Sequence, residues 1–261
     1  MKKLLAILVL GLLWCNLGFA IDLKIPKSED EWSKAYDSLN WKEGPETINF
    51  NDANSKIILG SNFLILEGDE ANQWLYWLNG TQFPNVKIYA TDFDEGSQYN
   101  FEYSDSGQVK TEDWTDVDPD NLIKELRKKY KASNAKREKN NLPTVTNVNW
   151  LYKPYLDKNY DSVYYALQIT WSDNLITNQG TAILLGREGY THASYIAGDS
   201  GYKEQMLLNL SNIHTFNSTK QYKDWKPEDK VAVFGIATLL ETALGIKTLT
   251  PQQMKLPKII F

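Results

Sequence analysis

The chain has 261 residues, of which 42% are hydrophobic, so it can bury the core of one large domain or two small ones. Its 28 basic and 33 acidic residues give a net charge of −5, which makes nucleic acid a poor partner. The only cysteine, Cys15, lies near the N-terminus, so the rest of the chain can form neither disulfides nor thiolate metal sites.

The first 20 residues have the pattern of a secretory signal peptide, and residues 1–20 are predicted to be one. Lys2 and Lys3 precede an apolar stretch, and Gly18 and Ala20 place small residues where a signal peptidase cleaves. An uncleaved membrane anchor is the alternative, because the stretch from Leu4 to Ile21 is nearly long enough to span a bilayer. In either case we expect the folded part of the chain outside the cytoplasm.

The first half of the chain is predicted to combine short strands with single helices. Ser28 begins a capping box, and apolar residues at helical spacing follow it as far as Leu39. Further along, short β-rich runs bounded by Asn, Asp and Gly predict strands. These strands are 47–50, 56–59, 63–66, 86–89 and 98–103, with a helix over 69–78, capped by Asp69, before the last two.

Charge is segregated between residues 92 and 139. Residues 92–120 carry ten acids and one base, whereas residues 124–139 carry eight bases and two acids. Asp118-Pro119-Asp120 predicts the start of a helix, because Asp caps helices, Pro fits the first turn and acids complement the helix dipole. The basic face of this helix either contacts anionic lipid or an acidic partner, or is simply solvated. Its members are Lys128, Lys129, Lys131, Lys136, Arg137 and Lys139.

The second half is predicted to contain four strands followed by two helices. The strands are 145–152, 163–171, 180–187 and 190–196, and the helices are 202–213 and 229–246. The turns between these strands are short enough for antiparallel neighbours. Strands adjacent in sequence, with helices inserted singly, indicate an α+β fold built on an antiparallel sheet with flanking helices.

An acidic cluster at the start of the long helix is a candidate calcium site, because hard cations prefer carboxylate oxygens. An EF-hand that began at Asp116 would need Gly in place of Asn121 and Glu in place of Arg127. We therefore interpret the cluster as helix caps and solvated loop residues. Its members are Asp113, Asp116, Asp118 and Asp120.

The two histidines, His192 and His214, have no short metal-ligand spacing, and a catalytic triad would need distant partners for one of them. We interpret both as structural or surface histidines. The sequence contains no phosphate-binding Gly-rich loop, nucleophile elbow or zinc-protease helix. Catalytic, metal-binding and cofactor-binding residues are therefore not assigned, and the ligand-binding residues remain unknown at this point.

Several segments along the chain together resemble one family. They are FEYSDSGQV at 101–109, DPD at 118–120, NAKREK at 134–139, VNW at 148–150, LLGREGY at 184–190, TFN at 215–217, YxxW at 222–225 and DKVA at 229–232. The chain resembles the domain of unknown function 2167, predicted membrane-anchored bacterial proteins, over residues 43–246. The resemblance implies the periplasmic side of the bacterial inner membrane and a hydrophobic C-terminal tail. The order of elements in the second half is also similar to the PsbP/Mog1 sandwich fold.

The expected organisation is a signal peptide at 1–20, a single extracytoplasmic α+β domain at 21–226, and a C-terminal hydrophobic helix with a short tail at 227–261. The apolar run at 231–246 is shorter than a membrane span and contains Glu241, so it is either a marginal anchor or a packing or interfacial helix.

Three functions follow from these observations. The first is a non-enzymatic envelope protein that binds membrane lipid or another envelope protein. The second is a soluble periplasmic module that binds a ligand or a glycan, which the 9 Trp and 15 Tyr residues favour. The third is a carboxylate-type hydrolase, which requires two acids facing each other across a pocket.

Overall fold

The computed structural model describes residues 24–80, 83–139 and 142–248. The predicted signal peptide, Cys15 and residues 249–261 of the predicted tail lie outside the described residues. The helices are α1 (Glu29–Asp37), α2 (Gly68–Asn79), α3 (Pro119–Lys139), α4 (Glu204–Ile213) and α5 (Ile236–Ala243). The strands are β1 (Lys42–Glu43), β2 (Glu46–Phe50), β3 (Ser55–Leu59), β4 (Phe63–Glu67), β5 (Val86–Asp92), β6 (Gln98–Ser104), β7 (Gln108–Lys110), β8 (Val145–Asp157), β9 (Ser162–Trp171), β10 (Ile176–Leu185), β11 (Tyr190–Gly198), β12 (His214–Phe216) and β13 (Val231–Gly235).

The centre of the molecule is an eight-stranded sheet in the order β1-β4-β5-β6-β11-β10-β9-β8. Every neighbouring pair in this sheet is antiparallel. A smaller antiparallel sheet contains β12, β3 and β2, while β7 and β13 form a parallel pair. The predicted α+β class with an antiparallel sheet and flanking helices is confirmed.

The central part of the inner face of the large sheet is apolar and buried. Tyr99 and Phe101 alternate along β6 with polar residues, and both side chains are 0% exposed. They belong to a cluster that joins the large sheet to the small sheet and to α4, where Ile57 and Leu210 are also fully buried. This two-sheet packing leaves the other face of the large sheet for the remaining helices.

The outer face of the large sheet is covered by two separate apolar clusters. At one end, α1 and α2 pack on β4 and β5 through residues that include Trp74 and Tyr89. At the other end, α3 and α5 pack on β8, β9 and β10, with Leu126, Ile169 and Leu240 fully buried. The outer face of β6 and β11 lies between these two clusters.

The predicted helix caps agree with the structure at two of three positions. The Ser28 hydroxyl accepts a hydrogen bond from the Glu31 amide (3.2 Å) at the start of α1. The Asp118 carboxylate accepts from the Asp120 and Asn121 amides (3.0 and 3.2 Å) at the start of α3. The cap predicted at Asp69 is wrong, because α2 begins one residue earlier, at a glycine with positive φ, and has no side-chain cap.

The basic face predicted on α3 is smaller than the sequence suggests. Arg137 is 3% exposed, and its guanidinium lies 4.5 Å from the ring centroid of Trp171 while its Nε donates to the Pro143 carbonyl at 2.5 Å. The Lys129 amino group donates to the Gly245 carbonyl of the segment after α5. These two side chains hold α3 to its neighbours, so they do not belong to the solvated face.

The helix predicted over residues 229–246 is wrong in its extent. Residues Val231–Gly235 form β13, and the helix α5 that follows has only eight residues. A short apolar run rich in β-branched residues does not distinguish a strand from a helix by periodicity. The apolar side of α5 is core, since Ile236, Leu239 and Leu240 are at most 1% exposed. Within the described residues, we find no helix with the length and apolar character needed to cross a membrane.

The start of α5 is held by an acid from the cluster considered for calcium. The Asp113 carboxylate accepts hydrogen bonds from the Ile236 and Ala237 amides at 3.0 and 3.3 Å. A Cβ atom at Gly235 would lie 2.2 Å from the Asp113 carboxylate, so a larger residue there would displace the capping side chain. Asp113 therefore caps the helix from a distant part of the chain.

We expect Asp113→Ala to lower the free energy of unfolding by about 0.5–2 kcal/mol, because it removes the cap and leaves two amides without a partner. The measurement is urea unfolding of the full chain, followed by circular dichroism. Asp116→Ala is the matched control, since this neighbouring acid is exposed, and it should change the free energy by no more than about 0.5 kcal/mol. Equal effects of the two substitutions would contradict the capping role.

Candidate functional site

The part of the outer sheet face between the two apolar clusters carries a strip of polar side chains at adjacent positions. In the strand register, His192 of β11 lies opposite Glu102 of β6, and Ser194 lies opposite Asn100. Thr181 of β10 lies opposite Ser194 on the other side. Side chains opposite each other in an antiparallel pair have Cβ atoms about 5 Å apart. We call these five residues the polar strip.

The polar strip lies on the outer sheet face between the two apolar clusters, and we call this stretch of the face the groove. Thr181 and Ser194 are 0% and 5% exposed, whereas Asn100, Glu102 and His192 are half-buried and reach the surface. Asn100 Oδ1 and His192 Nε2, like Thr181 Oγ1, are buried atoms that have no hydrogen-bond partner among the described residues. A buried polar atom without a partner costs about 1–3 kcal/mol, and such atoms in native proteins call for a specific explanation.

The electrostatics of the polar strip are dominated by burial. Burial raises the pKa of Glu102 to about 7, and within the described part of the chain no cationic side chain offsets this effect. Burial lowers the pKa of His192 to about 4, so this imidazole is neutral at neutral pH. The hydroxyl groups of Tyr165 and Tyr190 lie near Glu102, whose charge adds to the effect of burial in raising the pKa of both phenols. The groove therefore holds one acid that is close to half-ionised at pH 7.

The acids of the predicted cluster point to different places. Asp113 caps α5, Asp118 caps α3, Asp120 pairs with Lys153 at 3.0 Å, and Asp116 is exposed. In the part of the chain that the structure describes, no group of three or more His, Cys, Asp or Glu residues could hold a metal ion. The interpretation of the cluster as caps and loop residues describes these positions well.

The second histidine has a structural environment. His214 is 3% exposed, its Nε2 lies 3.0 Å from the Thr191 hydroxyl, and its ring packs edge-on against Phe216 at 4.7 Å. Burial lowers the pKa of His214 to about 3. The sequence alone does not distinguish His192 from His214. In the structure, only His192 lies on the polar strip.

Most of the Trp and Tyr residues that suggested a glycan platform pack into the core. One cluster packs against α2, with neighbouring ring centroids 5.0–6.1 Å apart, and contains Trp32, Tyr36, Trp41 and Trp74.

The facing pair of acids required for a carboxylate-type hydrolase is not found at the groove. Of the described residues, no second carboxyl group contributes to the raised pKa of Glu102.

The segment 184–190, which carries part of the family resemblance, holds the molecule together. Arg187 makes a two-point ion pair with Asp229, with Nε–Oδ2 at 2.6 Å and Nη2–Oδ1 at 2.7 Å, and this pair lowers the pKa of Asp229 to about 2. A Cβ atom at Gly189 would lie 2.0 Å from the Ser104 carbonyl oxygen. Both features fix the β10–β11 turn against the rest of the fold, which is a structural role.

Comparison with known proteins gives one family and a distant structural likeness. A family model described as "Protein of unknown function (DUF2167)" matches residues 42–250. A search of curated proteins finds no match. The solution structure of cyanobacterial PsbP (CyanoP) from Synechocystis sp. PCC 6803 is similar over 77% of this chain and 99% of that chain, with 10% sequence identity and a TM-score of 0.36.

Proposed function

The chain belongs to the DUF2167 family, and we propose that it is an exported, non-enzymatic protein of the bacterial envelope that binds a ligand in the groove over the polar strip. The observation that carries this proposal is the pair of unpartnered atoms, Asn100 Oδ1 and His192 Nε2, in the middle of the outer sheet face. A ligand with complementary polar groups would remove the cost of these two atoms.

The position of the polar strip supports binding in preference to a purely structural role. The flanking parts of the same face are apolar and covered by helices, as at Leu66 and Ile169. Small-molecule sites usually combine apolar walls with a few convergent polar groups, and the polar strip between its two apolar clusters has this composition. The half-buried Glu102, with its raised pKa, adds a feature typical of functional sites.

The proposed location is the periplasmic side of the inner membrane, anchored or peripheral. The signal-like segment that ends at Ala20 supports export. The exposed part of α3 supports contact with anionic lipid, because Lys124, Lys128 and Lys131 lie on one exposed helical face. Each lysine held near an anionic surface contributes about 1 kcal/mol.

Two measurements on the full chain test this proposal. The first is fractionation of the producing bacterium, in which we expect the protein in the membrane or periplasmic fraction with Ile21 as its first residue. Recovery from the cytosol with residues 1–20 intact would overturn the location.

The second measurement is a thermal-shift screen with sugars, amino acids, short peptides and cell-wall fragments. We expect at least one class to stabilise the protein, by about 2.7 kcal/mol at a concentration of one hundred times Kd. The His192→Leu variant should lose this shift, whereas the exposed control Tyr160→Leu should keep it. A panel without any shift, or shifts that are equal in the two variants, would count against the groove as the binding site.

A further inference from the structure

We propose that the groove takes a ligand with an ammonium group, which is held by the Glu102 carboxylate and by the free acceptor atoms of the polar strip. This inference rests on the proposed function and adds the chemical class of the ligand.

The charge of the groove excludes one class of ligand and favours another. Glu102 is the only carboxyl group placed on the polar strip, and in the described chain no cationic side chain lowers its pKa. An anionic ligand would therefore meet an uncompensated negative charge in a partly desolvated place. A cationic ligand would supply the missing counter-charge and make a charge-assisted hydrogen bond with the carboxylate.

The hydrogen-bonding groups of the strip favour a donor. Asn100 Oδ1 accepts hydrogen bonds only, and it has no partner among the described residues. His192 is neutral, so one of its two ring nitrogens is an acceptor, and its buried Nε2 has no partner among the described residues. An ammonium group has three donors, and the strip offers it the Glu102 carboxylate, Asn100 Oδ1 and the acceptor nitrogen of His192 on two neighbouring strands.

Binding of an ammonium group must be coupled to the proton on Glu102. The titratable groups that face Glu102 are His192, Tyr165 and Tyr190, and burial keeps all three neutral near pH 7. Because the pKa of Glu102 is about 7, the carboxyl group is mostly protonated at pH 6 and mostly ionised at pH 8. An ammonium ligand requires the ionised form, so its binding at pH 6 releases nearly one proton from Glu102 to the buffer.

Calorimetric titration of the full chain with matched pairs of probes tests the proposal. A sugar arm compares 6-amino-6-deoxyglucose with glucose, and a peptide arm compares Nα-acetyl-lysine methylamide with its Nε-acetylated form. Both amines stay charged up to pH 8. We expect one or both amines to bind at least about tenfold more tightly than their neutral partners, since a charge-assisted bond is lost in the neutral probe.

The pH dependence gives a second readout. We expect the affinity for the amine to rise about tenfold from pH 6 to pH 8, with proton release at pH 6 detected as a heat difference between two buffers of unlike ionisation enthalpy. Glu102→Gln should abolish both the binding and its pH dependence, while the exposed control Glu138→Gln should change neither.

The outcomes separate this inference from the proposed function. Binding of glucose or of the acetylated lysine as tightly as the amines, with loss in His192→Leu, would overturn the ammonium ligand and leave the groove as a binding site. Amine binding that persists in Glu102→Gln would overturn the role of Glu102. Absence of binding by either amine at millimolar concentration would also overturn the ammonium inference, and the thermal-shift screen then decides the proposed function.

Discussion

Replacement of Leu240 by alanine is expected to lower the free energy of unfolding by about 2–5 kcal/mol. Leu240 is 0% exposed and lies on α5 in the cluster that also contains Leu126 and Ile169. The substitution leaves a cavity between α5, α3 and the outer sheet face, because these elements are also held by other contacts and cannot fully close the gap. Urea unfolding of the full chain, followed by tryptophan fluorescence, measures the change.

Val233→Ala is the matched control for this substitution. Val233 belongs to the same apolar run, but its side chain is 50% exposed, and its truncation should change the free energy by no more than about 0.5 kcal/mol. The comparison distinguishes a core helix from a membrane anchor. Unchanged stability of Leu240→Ala in aqueous solution would contradict the packing of α5 described above.

Replacement of Glu102 by glutamine is expected to stabilise the protein by about 2 kcal/mol at pH 7 and to have no effect near pH 4.5. Burial raises the pKa of Glu102 from 4.5 to about 7. Below pH 4.5 the carboxyl group is protonated in both the folded and the unfolded chain, and Glu102 does not destabilise the fold. As the pH rises toward 7, the unfolded chain loses this proton before the folded protein does, so the free energy of unfolding falls. Each unit of pH in this window costs about 1.4 kcal/mol, and the partial exposure of Glu102 reduces the total.

The two buried histidines change the free energy of unfolding in the opposite direction as the pH changes. Burial lowers the pKa of His192 and His214 from 6.5 to about 4 and about 3, so their contribution is complete above pH 6.5 and is lost as the pH falls. In the wild-type protein, Glu102 partly cancels this acid sensitivity. The Glu102→Gln protein should therefore show a steeper loss of stability between pH 6.5 and pH 4.5.

Chemical unfolding at a series of pH values between 4.5 and 7.5 measures both effects. Glu138→Gln removes an exposed carboxyl group and serves as the control, with a pH profile equal to that of the wild type. A Glu102→Gln profile parallel to the wild-type profile would show that Glu102 titrates in the folded protein as it does in the unfolded chain.

The sequence predicts most of the secondary structure because local signals dominate there. The caps at Ser28 and Asp118 have the expected hydrogen bonds, and the strands of the second half pair as antiparallel neighbours. The run at 231–246 was predicted less well, since a parallel partner 123 positions away in sequence, β7 opposite Val231, determines the strand β13. A pairing of this kind leaves no local signal in the sequence.

The groove could be predicted only in part. Along β6, aromatic residues alternate with Gln98, Asn100 and Glu102, which is the pattern of a strand with one buried face. From this alternation alone, the polar residues of β6 are predicted to face solvent. Their role depends on which strand lies beside β6, and the meeting of Glu102 with His192, 90 positions later in the chain, is a property of the sheet order. The acid cluster is the opposite case. Its carboxylates are close together in sequence, but in the structure they cap different helices or pair with a lysine.

The late position of β13 and α5 in the chain affects the order of folding. The strand β7 at residues 108–110 pairs with β13, and the cluster under α3 is completed by residues as far as Leu244. Contacts between segments so far apart in sequence form slowly, because a long loop must close before they are gained. A chain synthesised from its N-terminus therefore stays incompletely folded and keeps apolar surface exposed until residue 244 has been added. Such a delay makes prematurely ended chains targets for proteolysis.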